Sequence, residues 1–144
     1  MLDGDLDEAQ GPRRGVDSLY AAAARPVEEA RVANEGGLDS LQTRNPATAV
    51  YVDAGHSRWV AADVMAGRLN QVGVQKARGF SLNTANFFTT EESMGYGQAI
   101  SGMTSGAHYV IDTSRNGAGP VEGDDLYWCN PSGRALGVAP TTAT

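Results

Sequence analysis

AHYVIDTSRNGAGPVEGDDLYWCNP, residues 107–131, decides the fold. It opens on an apolar, β-branched run, Tyr109-Val110-Ile111, that reads as a buried strand. At Asp112 it turns into a polar, glycine-rich loop carrying Ser114, Arg115 and Asn116, and it closes on Trp128-Cys129-Asn130-Pro131. A strand that ends on a carboxylate and a cation marks an α/β protein, in which ligands meet the carboxyl ends of the strands.

The same arrangement recurs twice upstream. Thr48-Ala49-Val50-Tyr51-Val52-Asp53 is a second short apolar run, and Ala77 to Asn83 a third, less regular one. The three starts lie about thirty residues apart, the length of a βαβ unit. Between the first two, Val64, Met65, Leu69 and Val72 fall on one helical face within 60–72, leaving Asp63 and Arg68 outside. Between the second and third, Thr90-Glu91-Glu92 supplies a cap and an acidic first turn to a helix near 90–103. Its apolar residues are Met94, Ile100 and Met103, and its glycines weaken it. Strands near 48–53, 78–83 and 107–112 with two crossover helices predict a parallel sheet, right-handed, covered on both faces. A closed (β/α) barrel normally takes about 250 residues, so the 144 here suffice for roughly half of one.

All three strands then end on one rim. It carries Asp53, Gly55, His56, Ser57 and Trp59 after the first, Asn83 and Asn86 after the second, and Asp112, Ser114, Arg115 and Asn116 after the third. That clustering predicts a ligand face. Bulk composition narrows the ligand. A net charge of −6, with Arg13-Arg14 the densest basic feature, argues against a nucleic-acid backbone. No apolar run approaches the ~20 residues of a membrane helix. Two histidines and one cysteine, far apart, give no metal spacing, and no cofactor is implied. Gly95-Tyr96-Gly97 lies in a helical stretch and does not follow a strand, so it is no dinucleotide loop.

Residues 1–37 read differently. They alternate acidic and basic clusters with the alanine run Ala21–Ala24. A helix over 18–33, capped by Ser18 and kinked by Pro26, is one expectation, and a partly disordered leader is the other. Gly36-Gly37 is expected to stop whatever precedes it. The N-terminus, MLDGDLDEAQ, is acidic where a secretory signal is basic and then apolar, so no export signal is expected in the chain as written.

VYVDAGHSRWV, GFSLNTANFFTT, VIDTSRNGAGP and WCNPSGRALG together resemble glycoside hydrolase family 6, the endo-β-1,4-glucanases and cellobiohydrolases, most closely the actinobacterial ones. The likeness runs from Leu38 to Thr144, which divides the chain into an unassigned leader, 1–37, and a partial catalytic domain, 38–144. The resemblance implies part of a distorted, seven-stranded (β/α) barrel that holds cellulose or cello-oligosaccharide chains and hydrolyses them with inversion. It implies Trp59 and Trp128 as sugar platforms on either side of the scissile bond, and His56, Asn83 and Asn86 as polar groups lining the glucan. Arg115 matches an arginine that pairs with catalytic-site carboxylates. The family's general acid lies in an Arg-Asp-Cys motif that these residues do not contain, Cys129 being the one cysteine. A second aspartate, and the cysteine that would bridge to Cys129, belong to a Lys-Pro-x-Gly-Glu-Ser-Asp-Gly segment that is also missing. No catalytic residue is therefore assigned. The chain is expected to be a truncated or split catalytic domain, inactive alone, or completed by a separate polypeptide. The alternative is a non-catalytic glucan-binding remnant of a decayed gene. Family members are usually secreted; for this chain both that and a cytoplasmic location stay open.

Several rim residues have plainer readings. Asp53 and Asp112 are expected to be buried carboxylates that hold loops through backbone N–H groups. His56 beside Ser57 lacks a third orienting group or a G-x-S-x-G elbow, which excludes the serine-nucleophile reading. Taken without the resemblance, each tryptophan is a core residue and Arg115 a surface ion-pair partner. Glu122, Asp124 and Asp125 read as a solvated loop.

Overall fold

A computed structural model of the protein describes residues 27–121 and 129–142. The order is α1 (Val27–Arg44), β1 (Tyr51–Asp53), α2 (Ala62–Gln71), a 3₁₀ turn (Val74–Lys76), β2 (Gly79–Leu82), α3 (Thr90–Met103) and β3 (His108–Ile111). The strands form a parallel three-stranded sheet in the order β1-β2-β3, with Tyr51 opposite Gly79 and Gly79 opposite His108. The strand–helix–strand reading therefore holds, with shorter strands than the apolar runs. The sheet is open, as part of a (β/α) barrel would be.

Among the described residues, the expectation that both sheet faces are covered is not met. Sequential strand order with crossovers of one hand sets both helices on the same side. Val52, Phe80, Leu82, Tyr109 and Ile111 face that side and meet Met65, Ala66, Leu69, Tyr96 and Ile100 in the core. Burying Phe80 and Leu82 contributes about 1.5–3 kcal/mol each. The alternate residues Tyr51, Asp53, Ser81, His108 and Val110 take the other face, where His108 and Val110 are exposed. Gly79 sits in that row because a Cβ there would run into the His108 carbonyl.

The helices depart from expectation in detail. On α2 the buried residues are Met65, Ala66 and Leu69, while Val64 is 46% exposed. It precedes Met65 by one residue, 100° around the helix and away from Ala66. On α3 the buried row is Ser93, Tyr96, Gly97 and Ile100, and Met103 is exposed. Gly97 is a packing position: the Tyr109 ring lies against it, and a Cβ would fall 2.7 Å from that ring. Gly36-Gly37 does not stop α1, which runs on to Arg44. Two glycines cost helix propensity but no backbone hydrogen bond, and Leu38 beside them is fully buried. The helix ends where Pro46 disfavours helical geometry at Asn45. Lys76 Nζ reaches Asp39 Oδ1 at 3.1 Å and ties α1 to the 3₁₀ turn. Among the described residues, no helix is long and apolar enough to cross a membrane.

Candidate functional site

Each strand hands over to a loop on the same rim, and the loops are tied to one another. After β1, Gly55 adopts φ +66° and its N–H donates to Asp53 Oδ1 at 2.9 Å. The turn brings His56, Ser57 and Arg58 to the start of α3 and sets Trp59 beside Arg68 of α2. Its exit is held by the Tyr96 hydroxyl, which donates to the Val60 carbonyl at 2.9 Å. Ser57 Oγ donates to Glu92 Oε1 at 2.5 Å, and Arg58 spans the same carboxylate, Nε to Oε1 at 2.9 Å and Nη2 to Oε2 at 3.0 Å. The His56 ring stacks on Phe88 with centroids 4.5 Å apart, and the Arg58 guanidinium lies over that ring at 5.0 Å. Burial lowers the His56 pKa, outweighing the charges of Glu92 and Asp53 that favour the cation. The Glu92 carboxyl is held below its usual value, first by the hydrogen bond from Arg58.

The second and third loops share one set of bonds. Asn83 is fully buried at φ +62°. Its amide donates to the Phe88 and Asp112 carbonyls, both at 3.0 Å, and accepts from Phe88 N–H at 3.1 Å. Asp112 accepts from Ala85 N–H and Ser114 N–H, each at 2.8 Å. Burial works to raise the Asp112 pKa, but hydrogen bonds from the Ser114 side chain and from the Ala85 and Ser114 backbone, with the Arg115 charge, outweigh it and the value is lowered. Asn116 donates to the Phe88 carbonyl at 3.0 Å. Phe87, fully buried, carries the Arg115 guanidinium 4.5 Å above its ring and Arg134 at 5.9 Å.

The expected site residues thus take different places. Trp59 stands at the surface, 44% exposed, against Gly55 and with Arg68 5.7 Å from its ring centre. His56 and Asn86 are half-buried on the rim, and Asn86 Oδ1 accepts from Phe87 N–H. Asn83, expected beside them, is inside the protein with its amide engaged by backbone. Arg115 donates to the Ala85 and Cys129 carbonyls and to Asn130 Oδ1. Among the described residues it makes no ion pair with a carboxylate. Asp53 holds its loop as expected but is exposed, because its partner N–H is in its own turn on the open sheet face. Trp128 and Glu122, Asp124 and Asp125 lie outside the described residues. Cys129 is exposed and unpaired.

Sequence reasoning missed Glu92, Phe87, Phe88 and Arg134. Two carboxylates in a helix's first turn look like dipole complements, and only the fold brings one of them 34 residues back to Arg58. The adjacent Phe87-Phe88 pair was the available signal for an aromatic floor. An open cleft of about 580 Å³ lies beside the rim, lined by Thr89, Asn116, Leu136 and Val138 among others, and contains none of the expected sugar-facing residues.

The family model for glycosyl hydrolases family 6 matches residues 17–144, which reaches upstream of Leu38 into the segment without an earlier assignment. Endoglucanase A of Cellulomonas fimi is 54% identical over 91 residues, 63% of this chain and 19% of that protein. Endoglucanase 1 of Streptomyces halstedii is 39% identical over 121 residues, 81% of this chain and 36% of that protein. An endoglucanase from Mycobacterium tuberculosis, solved with methyl-cellobiosyl-4-deoxy-4-thio-β-D-cellobioside, superposes with a TM-score of 0.78 at 60% identity, covering 89% of this chain and 44% of that one. The chain spans less than half the length of each of these three proteins. With three parallel strands, a tied polar rim and a family match over most of its length, the chain belongs to glycosyl hydrolases family 6.

Proposed function

We propose that this chain supplies the glucan-contacting rim of an inverting β-1,4-glucan hydrolase and is not itself catalytic. The observation that carries this reading is the gathering of Trp59, His56, Asn86 and Arg115 at the carboxyl ends of three adjacent parallel strands. In this reading Trp59, and Trp128 on the far side of the scissile bond, stack on the apolar faces of pyranose rings. His56 and Asn86 offer hydrogen bonds to sugar hydroxyls. Asn83 contributes by shaping the loop that presents Asn86. Arg115, which makes no ion pair with a carboxylate among the described residues, would pair with one at the catalytic site. The substrate class is cellulose and cello-oligosaccharides, and the rest of the barrel would come from residues outside this stretch.

Inversion needs a proton donor and a water-activating group with carboxyls about 6.5–9.5 Å apart. The two rim carboxylates that end strands, Asp53 and Asp112, are both occupied in accepting backbone N–H bonds. General acid catalysis is worth typically 10²–10⁴-fold, or about 3–5 kcal/mol, and stacking that is equal in ground and transition states does not replace it. The expected outcome is weak binding of cello-oligosaccharides and no reducing-sugar release from carboxymethyl cellulose. A Trp128→Ala variant controls for contaminating cellulase. Turnover near that of a full-length family member, abolished by Asp53→Asn, would overturn the reading and make Asp53 catalytic. The second reading, a glucan-binding remnant, separates from the first by complementation. Hydrolysis that appears only when a polypeptide carrying the missing strands is added favours a split enzyme.

A further inference from the structure

We propose that Glu92 is the positioning residue of the sugar-facing loop, and that its carboxylate sets the direction in which His56 and Trp59 are presented. The inference rests on the glucan reading above for the role of those two residues, but its geometry stands apart from it. Ser57 and Arg58 lie between His56 and Trp59 in sequence, and both are bound to the same Glu92 carboxylate. Oε1 accepts from Ser57 Oγ and Arg58 Nε, and Oε2 from Arg58 Nη2. A two-pronged guanidinium–carboxylate pair fixes a plane as well as a distance, which a single surface contact does not. The anchor is itself rigid. Glu92 is the third residue of α3, its N–H is capped by the Thr89 hydroxyl, and its helix is packed on the sheet. In an ordinary capping box the carboxylate would fold back on the N-cap N–H. Here it is turned outward to a loop 34 and 35 residues earlier.

The loop needs such an anchor. Its entrance is held by Asn83 N–H donating to the Gly55 carbonyl at 2.7 Å and its exit by the Tyr96 hydroxyl on Val60. Between them Gly55 adds a left-handed turn, and the indole of Trp59 leans on a residue with no Cβ. A lost carboxylate would remove the bonds that Ser57 Oγ and the Arg58 guanidinium make to Glu92 and loosen the Ser57–Arg58 segment between those two fixed ends. It would carry the His56 ring off Phe88 and the indole off Gly55. A binding surface held in place before the ligand arrives loses less entropy on binding, so the cost of loosening it falls on affinity.

The experiment reads the loop with and without sugar, using the full chain. With Trp128 replaced by Phe, Trp59 is the one indole left, and acrylamide quenching of its emission reports its exposure in the free protein. Cellohexaose affinity is measured calorimetrically with Trp128 retained. Glu92→Ala is expected to raise the quenching of Trp59 and weaken cellohexaose binding about tenfold. Glu92→Gln, which keeps an acceptor for Ser57 and loses the charge, should fall between. The exchanged pair Glu92→Arg with Arg58→Glu should restore part of both. If Glu92→Ala fails to fold, Glu92→Gln and Arg58→Gln carry the same two measurements. Quenching unchanged in a folded variant overturns the proposal, and so does unchanged affinity. If the wild-type chain binds no cellohexaose, the glucan reading fails, and the quenching alone decides whether Glu92 positions the loop.

Discussion

At the scale of single residues, the rim depends on side chains that never reach its surface. Asn83 places one amide on three backbone groups, and its left-handed φ suits Asn far better than most residues. Asn83→Ala is expected to lower stability by about 2–4 kcal/mol, from the unpaired Asp112 carbonyl and Phe88 N–H and from backbone strain. A shifted urea midpoint with an unchanged slope would show it. His56 gives a pH prediction. Burial lowers its folded pKa, so the unfolded chain binds more protons around the ordinary value of about 6.5. The stability due to the neutral ring is complete above that value and falls as the pH drops below it. Thermal melts from pH 7.5 to 5.5 should show this loss, and His56→Gln should flatten it. Glu92 and Asp112, whose pKa values are lowered, act in a separate, more acidic window, where stability is lost as pH falls through their folded values. Which polar residues cluster on the rim was legible from the three strand ends. Which of them faces solvent was not, because Asn83 and Asn86 are alike in type and neighbours in a loop. Only the buried bonds to Phe88 and Asp112 distinguish them.

At the scale of elements, the parallel strands were the most readable part, since short β-branched runs ending in polar residues have few other interpretations. The helix faces were less so. A hydrophobic stripe assigns Val64 and Met103 inward, yet both are exposed, while Gly97 is among the buried residues. Glycine in a pattern reads as weakness, although here it makes room for Tyr109. The consequence is a sign reversal within one helix. Gly95→Ala and Gly102→Ala meet nothing within 4 Å and are expected to stabilise by about 0.5–1 kcal/mol each. Gly97→Ala is expected to destabilise, because pressing a methyl into the Tyr109 ring costs about 1–3 kcal/mol and exceeds the gain in propensity. Three melting temperatures check this, and stabilisation by all three substitutions would contradict the packing described. Helix α1 was the opposite case. Gly36-Gly37 read as a stop, and burial of Leu38 next to it overrode local preference.

At the scale of the whole molecule, the described residues cover one sheet face, leave β1 and β3 as edges and expose His108 and Val110 on the other face. Unpaired strand edges recruit further strands. The chain alone is expected to associate with rising concentration in sedimentation velocity runs, and a monodisperse monomer throughout would contradict this. Cys129, exposed and unpaired, is expected to react with a thiol reagent in the native protein. The rim above the sheet behaves as a unit for a reason visible in a single carboxylate. Asp112 holds the amide of Ala85 in one loop and of Ser114 in the next. Neither amide can meet solvent catalyst until its bond to that group breaks, so their deuterium uptake should be coupled. Both should slow and quicken together as the carboxyl titrates, and both should lose protection in Asp112→Ala. Two loops 29 residues apart in sequence would then register on the exchange timescale as one opening.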